Sequence, residues 1–179
     1  MIDPDFGALI TAGAALLLLA ASWHKWRSLA EFLEVLRNYR VFPEFSLPLM
    51  GRLIPVLEAA IGIGLWVPST RSVAALCGAA LILSYALGIA VNLARGRLNL
   101  DCGCAAPGER RPIAGWMVAR NILLGTVLAC AALPWSRPVG VVDVLTVVGG
   151  LVVLILMYLT VDRLLGQVLP RGAALRRPT

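Results

Sequence analysis

Five apolar runs, each of about 18 to 23 residues, divide this chain and limit what it can fold into. About 20 apolar residues in a helix cross the hydrocarbon core of a bilayer. Hydrophobic residues make up 59% of the 179 and charged residues only 15%, whereas soluble domains have about 25% charged residues. The sequence therefore predicts an all-α, polytopic transmembrane helix bundle of about five spans in a single domain, residues 1–179. The predicted spans cover 6–23, 47–67, 72–93, 113–133 and 139–161.

The segment 28–40, between the first two spans, has a different pattern. Apolar residues such as Leu36 alternate with charged residues such as Arg37 at helical spacing. Ser28 and Glu31 also have the spacing of a helix capping box. These features predict an amphipathic helix lying in the membrane interface.

The net charge of +6 does not indicate a nucleic-acid partner, because most basic residues lie at the ends of apolar runs. If the N-terminus lies outside, 13 Lys and Arg residues fall on the inner side. Only Arg71 and Arg137 fall outside, and Arg120 lies within a span. Inner loops of membrane proteins are enriched in Lys and Arg. The count predicts that the loop between the third and fourth spans faces the cytoplasm.

That loop carries the chemically reactive candidates, Cys102 and Cys104, with Gly103 between them. One interpretation is a redox pair that forms a strained, easily reduced disulfide. A second is a soft-metal site for Cu(I) or Zn, with His24 as a further ligand. The third is that they are small residues in a turn.

Cys77 and Cys130 lie inside apolar runs, toward the opposite membrane face from the loop. Their placement permits a second thiol pair in a relay across the membrane. Cysteines in apolar helices more often act as small packing residues, which is the favoured interpretation here.

Two ionisable residues fall within the spans, Glu58 in the second and Arg120 in the fourth. From the same face, their depths are about 13 and 10 Å at 1.5 Å per residue. Buried charges in membranes usually have a partner or a wet cavity, so we expect these two to pair. Further polar residues approach from the same face and extend the predicted cavity wall: His24, Arg52, Asn92 and Asn121.

These residues resemble the MauE proteins of methylamine utilisation, which are related to the DoxX/DoxD group of redox-associated membrane proteins. The resemblance lies in three motifs, which are Arg52-x-x-Pro55-x-x-Glu58, Cys102-Gly103-Cys104 and Arg120-Asn121. It implies a multi-pass protein of the bacterial inner membrane with thiol–disulfide oxidoreductase chemistry at the two cysteines. It also implies a thioredoxin-like partner and an exported client, such as a methylamine dehydrogenase subunit.

The predicted layout is also similar to that of the vitamin K epoxide reductase bundle, which suggests quinone as an electron acceptor. Two alternatives remain open: soft-metal binding or transport through Cys102, Cys104 and His24, and a non-catalytic membrane partner in maturation. The charge count and the implied role disagree on one point. Disulfide formation in exported proteins takes place outside the cytoplasm, whereas the charges place the loop inside.

Overall fold

A computed structural model describes residues 3–101, 112–136 and 140–174 of the chain. Within these residues the chain is helical and has no strands, which confirms the predicted all-α polytopic bundle. A short 3-10 turn at Glu44–Ser46 leads into the third helix. The helices, in chain order, are α1 (Pro4–Arg27), α2 (Leu29–Tyr39), α3 (Leu47–Gly64), α4 (Arg71–Ala94), α5 (Gly115–Cys130) and α6 (Val141–Ala174).

Helix α1 is longer at both ends than the apolar run that predicted it. Its N-terminus is capped by Asp3, whose side chain accepts a hydrogen bond of 3.0 Å from the backbone N–H of Asp5, and Pro4 takes the first helical position. At the other end Lys25 and Arg27 lie in the last turn, where positive charge favours the helix dipole. Both ends therefore extend the helix into polar sequence.

Helix α2 is amphipathic, as its sequence pattern predicted, and buries Phe32 and Leu36 against the bundle. The predicted capping box is wrong. Ser28 makes no cap bond to α2; instead its hydroxyl donates to the His24 carbonyl at 2.9 Å. Because α1 continues to residue 27, Ser28 closes α1 and its hydroxyl is already engaged there. At the far end Arg40 ends α2 in the left-handed conformation, with φ of 49°.

Helices α1 and α3 pack closely because small residues lie where they cross. A Cβ added at Gly62 would lie 2.9 Å from Leu19 Cγ and 3.3 Å from the carbonyl oxygen of Ala15. In the same interface the hydroxyl of Ser22 donates to the Pro55 carbonyl at 2.7 Å. Close backbone approach over small residues, joined by a hydrogen bond, is typical of membrane helix packing.

The main core lies between α1, α4 and α5 and is also rich in small residues. Its fully buried members include Ala15, Leu18, Ala75 and Leu128. Helix α5, with 16 residues, is about 24 Å long, shorter than the bilayer core of about 30 Å. Within the described residues, four other helical segments are long and apolar enough to cross a membrane, in the ranges Pro4–Arg27, Glu44–Gly64, Arg71–Ala94 and Val141–Val161.

Helix α6 differs most from its predicted boundaries, since it runs for 34 residues and continues beyond residue 161. It packs chiefly on α1, with Gly150 against Leu9. Most of its side chains between Val141 and Val161 are exposed and apolar. In a membrane protein such a surface is suited to contact with lipid.

Candidate functional site

Cys102 and Cys104 lie outside the described residues, but the structure shows how the chain enters and leaves their segment. The N–H of Ile113 donates to the carbonyl of Leu100 at 2.9 Å. The neighbouring residues Asp101 and Pro112 form an antiparallel bridge. Residues 102–111 therefore begin and end at adjacent points on the bundle.

The approach to this segment is fixed by the C-terminus of α4. Gly96, with φ of +70°, follows the helix in a Schellman motif, in which its N–H binds the Leu93 carbonyl and the Arg97 N–H binds the Asn92 carbonyl. The side chain of Asn92, fully buried, adds two bonds: its amide donates to the Gly88 carbonyl at 3.0 Å and its oxygen accepts from Arg97 at 3.2 Å. Asn92 thus locks the turn that leads toward the cysteines.

An apolar cluster lies next to the Asp101–Pro112 bridge. Ile89 of α4 packs with Ile113 and Met117 at the start of α5, and Leu100 packs on the same group. Ile89, Ile113 and Met117 are each 3% exposed. Leu100 and Ile113, which flank the 102–111 segment, are therefore held by a well-buried apolar cluster. The bundle holds the two ends of this segment by packing as well as by hydrogen bonds.

A buried polar cluster joins α1, α3 and α4. Glu58 is completely buried, and its Oε1 atom accepts hydrogen bonds from Lys25 Nζ at 2.5 Å and from the Tyr85 hydroxyl at 2.8 Å. The ammonium of Lys25 also lies 5.4 Å from the ring centroids of Phe32 and Tyr85. Its side chain is only 11% exposed. Two aromatic faces and one carboxylate thus surround a positive charge in the bundle.

The expected ion pair between Glu58 and Arg120 is wrong, because Glu58 pairs with Lys25. Arg120 lies over the rings of Trp116 and Tyr158, at 5.2 and 5.8 Å from their centroids. The sequence predicts how deep each residue lies in the membrane, but not which face of its helix carries it or which helix that face contacts. Helix α5 packs mainly on α4, whereas α3 packs on α1, α2 and α4.

The other predicted cavity residues separate into two groups. Asn92 and Asn121 are buried, whereas His24 and Arg52 are exposed and lie outside the Lys25–Glu58–Tyr85 cluster. In the part of the chain that the structure describes, no three His, Cys, Asp or Glu side chains are arranged to hold a metal ion. Cys77 and Cys130 are free thiols and exposed.

Sequence reasoning missed Lys25 and Tyr85. In the sequence, Lys25 is only a charge at the end of the first span, and a single tyrosine in an apolar run gives no signal by itself. The position of Lys25 in the last turn of α1 is the signal that could have indicated its pairing with a buried carboxylate. A lysine side chain is long enough to reach from a helix end to a charge one turn deeper.

Comparison with known proteins gives a consistent result. The family model described as "Methylamine utilisation protein MauE" matches residues 4–136. A methylamine utilization protein MauE from Paracoccus denitrificans is 39% identical over 132 residues, which cover 72% of this chain and 70% of that protein. Its counterpart from Methylophilus methylotrophus is 37% identical over 167 residues, or 92% of this chain and 88% of that protein.

A third similar protein, the MauE of Paracoccus versutus, is 38% identical over 154 residues, or 85% of this chain and 83% of that protein. No solved structure matches the chain. The family match ends at residue 136 and so includes α1 to α5 and the segment with Cys102 and Cys104, but not α6.

Proposed function

Because the chain belongs to the methylamine utilisation protein MauE family, we propose that it serves methylamine utilisation by thiol–disulfide exchange at Cys102 and Cys104. It would do so as a multi-pass protein of the bacterial inner membrane. The observation that carries the proposal is the joined base of residues 102–111, formed by Leu100 with Ile113 and Asp101 with Pro112. A thiol pair that exchanges with a protein partner needs a short accessible segment on a rigid support, and this base supplies the support.

In the proposed cycle the Cys102–Cys104 disulfide accepts two electrons from a thioredoxin-like partner. A partner thiolate attacks one sulfur to give a mixed disulfide and releases the other cysteine as a thiolate, which takes up a proton. The second partner thiol, after losing its proton, attacks the mixed disulfide, so that the partner leaves as a disulfide and both cysteines become thiols. The oxidised partner then introduces a disulfide into its exported client, such as a methylamine dehydrogenase subunit.

Reoxidation of the pair needs an acceptor for two electrons and two protons. We propose an isoprenoid quinone, which would leave as quinol while Cys102 and Cys104 form their disulfide. The two thiols lose two electrons and two protons as the disulfide forms, and the quinone takes up both electrons and two protons to become quinol, which balances the cycle. An attacking thiolate is favoured by nearby positive charge and by a helix N-terminus, and α5 begins at Gly115, shortly after the segment.

The buried residues have a supporting role in this proposal. Asn92 holds the turn before the cysteines, and the ion pair of Lys25 with Glu58 joins α1 to α3. Neither needs to take part in the exchange itself. We therefore expect their substitution to act through the stability of the bundle and the geometry of the loop base.

The proposal is tested with Cys102→Ser and Cys104→Ser in cells that depend on methylamine for growth. Cys77→Ser and Cys130→Ser are matched controls, since they also remove single thiols from the same protein. Acid quenching followed by alkylation should show a mixture of dithiol and disulfide at the loop in wild type. Both loop variants should lose methylamine-dependent growth, and both controls should keep it.

Three results would contradict the mechanism. Normal growth of the Cys102→Ser/Cys104→Ser double variant would indicate a non-catalytic maturation partner. Stoichiometric copper or zinc in the purified protein, lost in either loop variant, would indicate a soft-metal function. A loop that stays fully reduced whether the quinone pool is oxidised or reduced would exclude quinone-linked exchange.

A further inference from the structure

A cavity of about 570 Å³ lies between α2 and α4, and Lys25 and Tyr85 also contribute to its wall. This volume falls within the range of about 300–1,000 Å³ that is typical of small-molecule sites. Its wall is mainly apolar and aromatic, with Phe32, Leu36 and Tyr39 from α2 and Leu81 and Ile89 from α4. The volume and composition suit the hydrocarbon part of an amphiphile.

The cavity is elongated along α4. Its wall on α4 extends from Leu81 to Arg95, which is 14 residues further along the helix, or about 21 Å at 1.5 Å per residue. One leaflet contributes about half of the hydrocarbon core of about 30 Å. At about 21 Å, this wall is longer than the hydrocarbon of one leaflet, about 15 Å, so it has room for an acyl chain and for part of the headgroup region at the helix end.

Two guanidinium groups lie at the end of this cavity where both helices stop. Arg40 is the C-terminal cap of α2 and Arg95 is that of α4, and both are exposed. Within the described residues, the structure records no ion pair or hydrogen bond to either guanidinium, and the salt bridge it does record joins Lys25 to Glu58. Two such cations at the mouth of an apolar cavity are complementary to a phosphate diester.

The backbone of Arg40 gives an independent indication. Its φ of 49° lies in the left-handed region, where glycine is strongly preferred at the end of a helix. An arginine there accepts a backbone cost that glycine would avoid. A side chain with a binding role at the cavity mouth accounts for its presence.

We propose that this cavity binds an anionic glycerophospholipid, with the phosphate between Arg40 and Arg95 and an acyl chain along α4. Basic pockets between membrane helices on the cytoplasmic side are known to suit anionic lipid headgroups. The proposal does not depend on the thiol chemistry proposed above.

The test uses the purified full chain in maltoside micelles, titrated with phosphatidylglycerol while the thermal unfolding midpoint is followed. Phosphatidylglycerol should raise the midpoint at concentrations at least about tenfold lower than phosphatidylcholine, since a loss of about 1.4 kcal/mol of binding is a factor of ten. The R40G/R95Q variant should lose this preference. R37Q removes a charge from the exposed face of α2, outside the cavity, and should keep it.

The single variant R40G separates a loss of binding from a failure to fold. Because glycine suits the left-handed conformation, R40G without lipid should unfold at the wild-type temperature or above it, yet respond more weakly to phosphatidylglycerol. Gly88→Leu tests the acyl-chain site, since a Cβ added at Gly88 would lie 3.7 Å from the Tyr39 ring and a leucine side chain would reach further into the cavity. This variant should weaken the response to every lipid.

Four outcomes would overturn the proposal. One is an equal response of R40G/R95Q and R37Q to phosphatidylglycerol. A second is equal stabilisation by phosphatidylcholine, which would mean unspecific lipid solvation. A third is equal stabilisation by inorganic phosphate, which would mean an anion site without a chain. The fourth is equal stabilisation of wild type and R40G/R95Q by decylubiquinone with no preference for phosphatidylglycerol, which would mean a neutral ligand.

Discussion

The ammonium of Lys25 reaches into the bundle from the last turn of α1 and binds the completely buried carboxylate of Glu58 on α3. The same carboxylate oxygen also accepts a hydrogen bond from Tyr85 on α4. Three helices are therefore joined at one oxygen atom. Burying such a charged pair costs desolvation energy. Removing only one partner lowers the stability further, because it leaves the other charge buried without a counterion.

We expect Lys25→Met to destabilise the protein by about 3–5 kcal/mol, because it leaves the Glu58 carboxylate buried without a counterion. Adding Glu58→Gln should partly reverse this loss. The double variant should therefore lose less free energy of unfolding than the two single variants lose together. Unfolding of the purified protein in mixed micelles gives the four free energies. As a control, Arg120→Gln combined with Glu58→Gln should be additive within about 0.5 kcal/mol, and strong coupling of that pair would contradict the observed geometry.

Tyr85→Phe removes one donor to the Glu58 carboxylate and should lower the free energy of unfolding by about 1.5–3 kcal/mol, the usual range for a hydrogen bond to a charged group. The ring itself, which lies near the Lys25 ammonium, is retained. In a Glu58→Gln background the same change should cost about half as much, since a neutral acceptor forms a weaker bond. An equal cost in both backgrounds would mean that the hydroxyl acts elsewhere.

Gly96→Ala should destabilise the turn after α4 by about 1–2 kcal/mol, because an L-residue is strained at φ of +70°. The control is Gly115→Ala in the first turn of α5, where nothing lies within 4 Å of an added Cβ. That change should be neutral or slightly stabilising. Thermal unfolding of both variants measures the difference. If the Schellman turn positions the cysteine segment, Gly96→Ala should also change the rate at which the loop thiols are alkylated.

Gly62→Val tests the close crossing of α1 and α3. The larger side chain would meet Leu19 and the Ala15 backbone, so we expect a loss of about 1–3 kcal/mol from overpacking. Gly149→Val on α6 adds the same group where nothing lies within 4 Å, and should change stability by less than about 0.5 kcal/mol. Comparable losses in the two variants would contradict the packing explanation, because helix propensity favours valine over glycine.

The membrane side of the cysteine loop is tested with a membrane-impermeant maleimide in a Cys77→Ala/Cys130→Ala background. The charge distribution alone predicts that Cys102 and Cys104 react only after the membrane is permeabilised. The exchange proposed for an exported client instead requires that they react in intact spheroplasts, which is the outcome we expect. Comparing the labelling of samples with and without prior reduction distinguishes thiols that are oxidised to a disulfide from thiols that the membrane shields from the reagent. Labelling in intact spheroplasts after reduction would place the loop outside, as disulfide formation in an exported protein requires.

Much of the helical layout could be predicted from the sequence because apolar length and amphipathic spacing act locally. The helix over residues 29–39 and the apolar runs that became α1, α3 and α4 illustrate this. Boundaries were less predictable where polar residues can join a helix end, as Lys25 and Arg27 do in α1. Helix α5 is shorter than its apolar run because the chain makes a turn directly after Cys130.

The buried pairing could not be predicted because it depends on which helix faces meet. Glu58 and Arg120 lie at similar depths, yet the packing of α1 against α3 brings Lys25 to Glu58 instead. Asn92 was recognised as polar at a helix end, but its bonds to Arg97 depend on the left-handed turn at Gly96. Tertiary contacts of this kind have no signature in hydropathy or residue spacing.

The joined base formed by Leu100 and Ile113 also has an evolutionary consequence. Because the chain departs from and returns to one place on the bundle, insertions, deletions and substitutions between these two residues need not disturb α4 or α5. The sequence of residues 102–111 can thus diverge between relatives while α4 and α5 keep their packing. Exchanging these ten residues between relatives would test directly whether they determine the specificity for the protein partner.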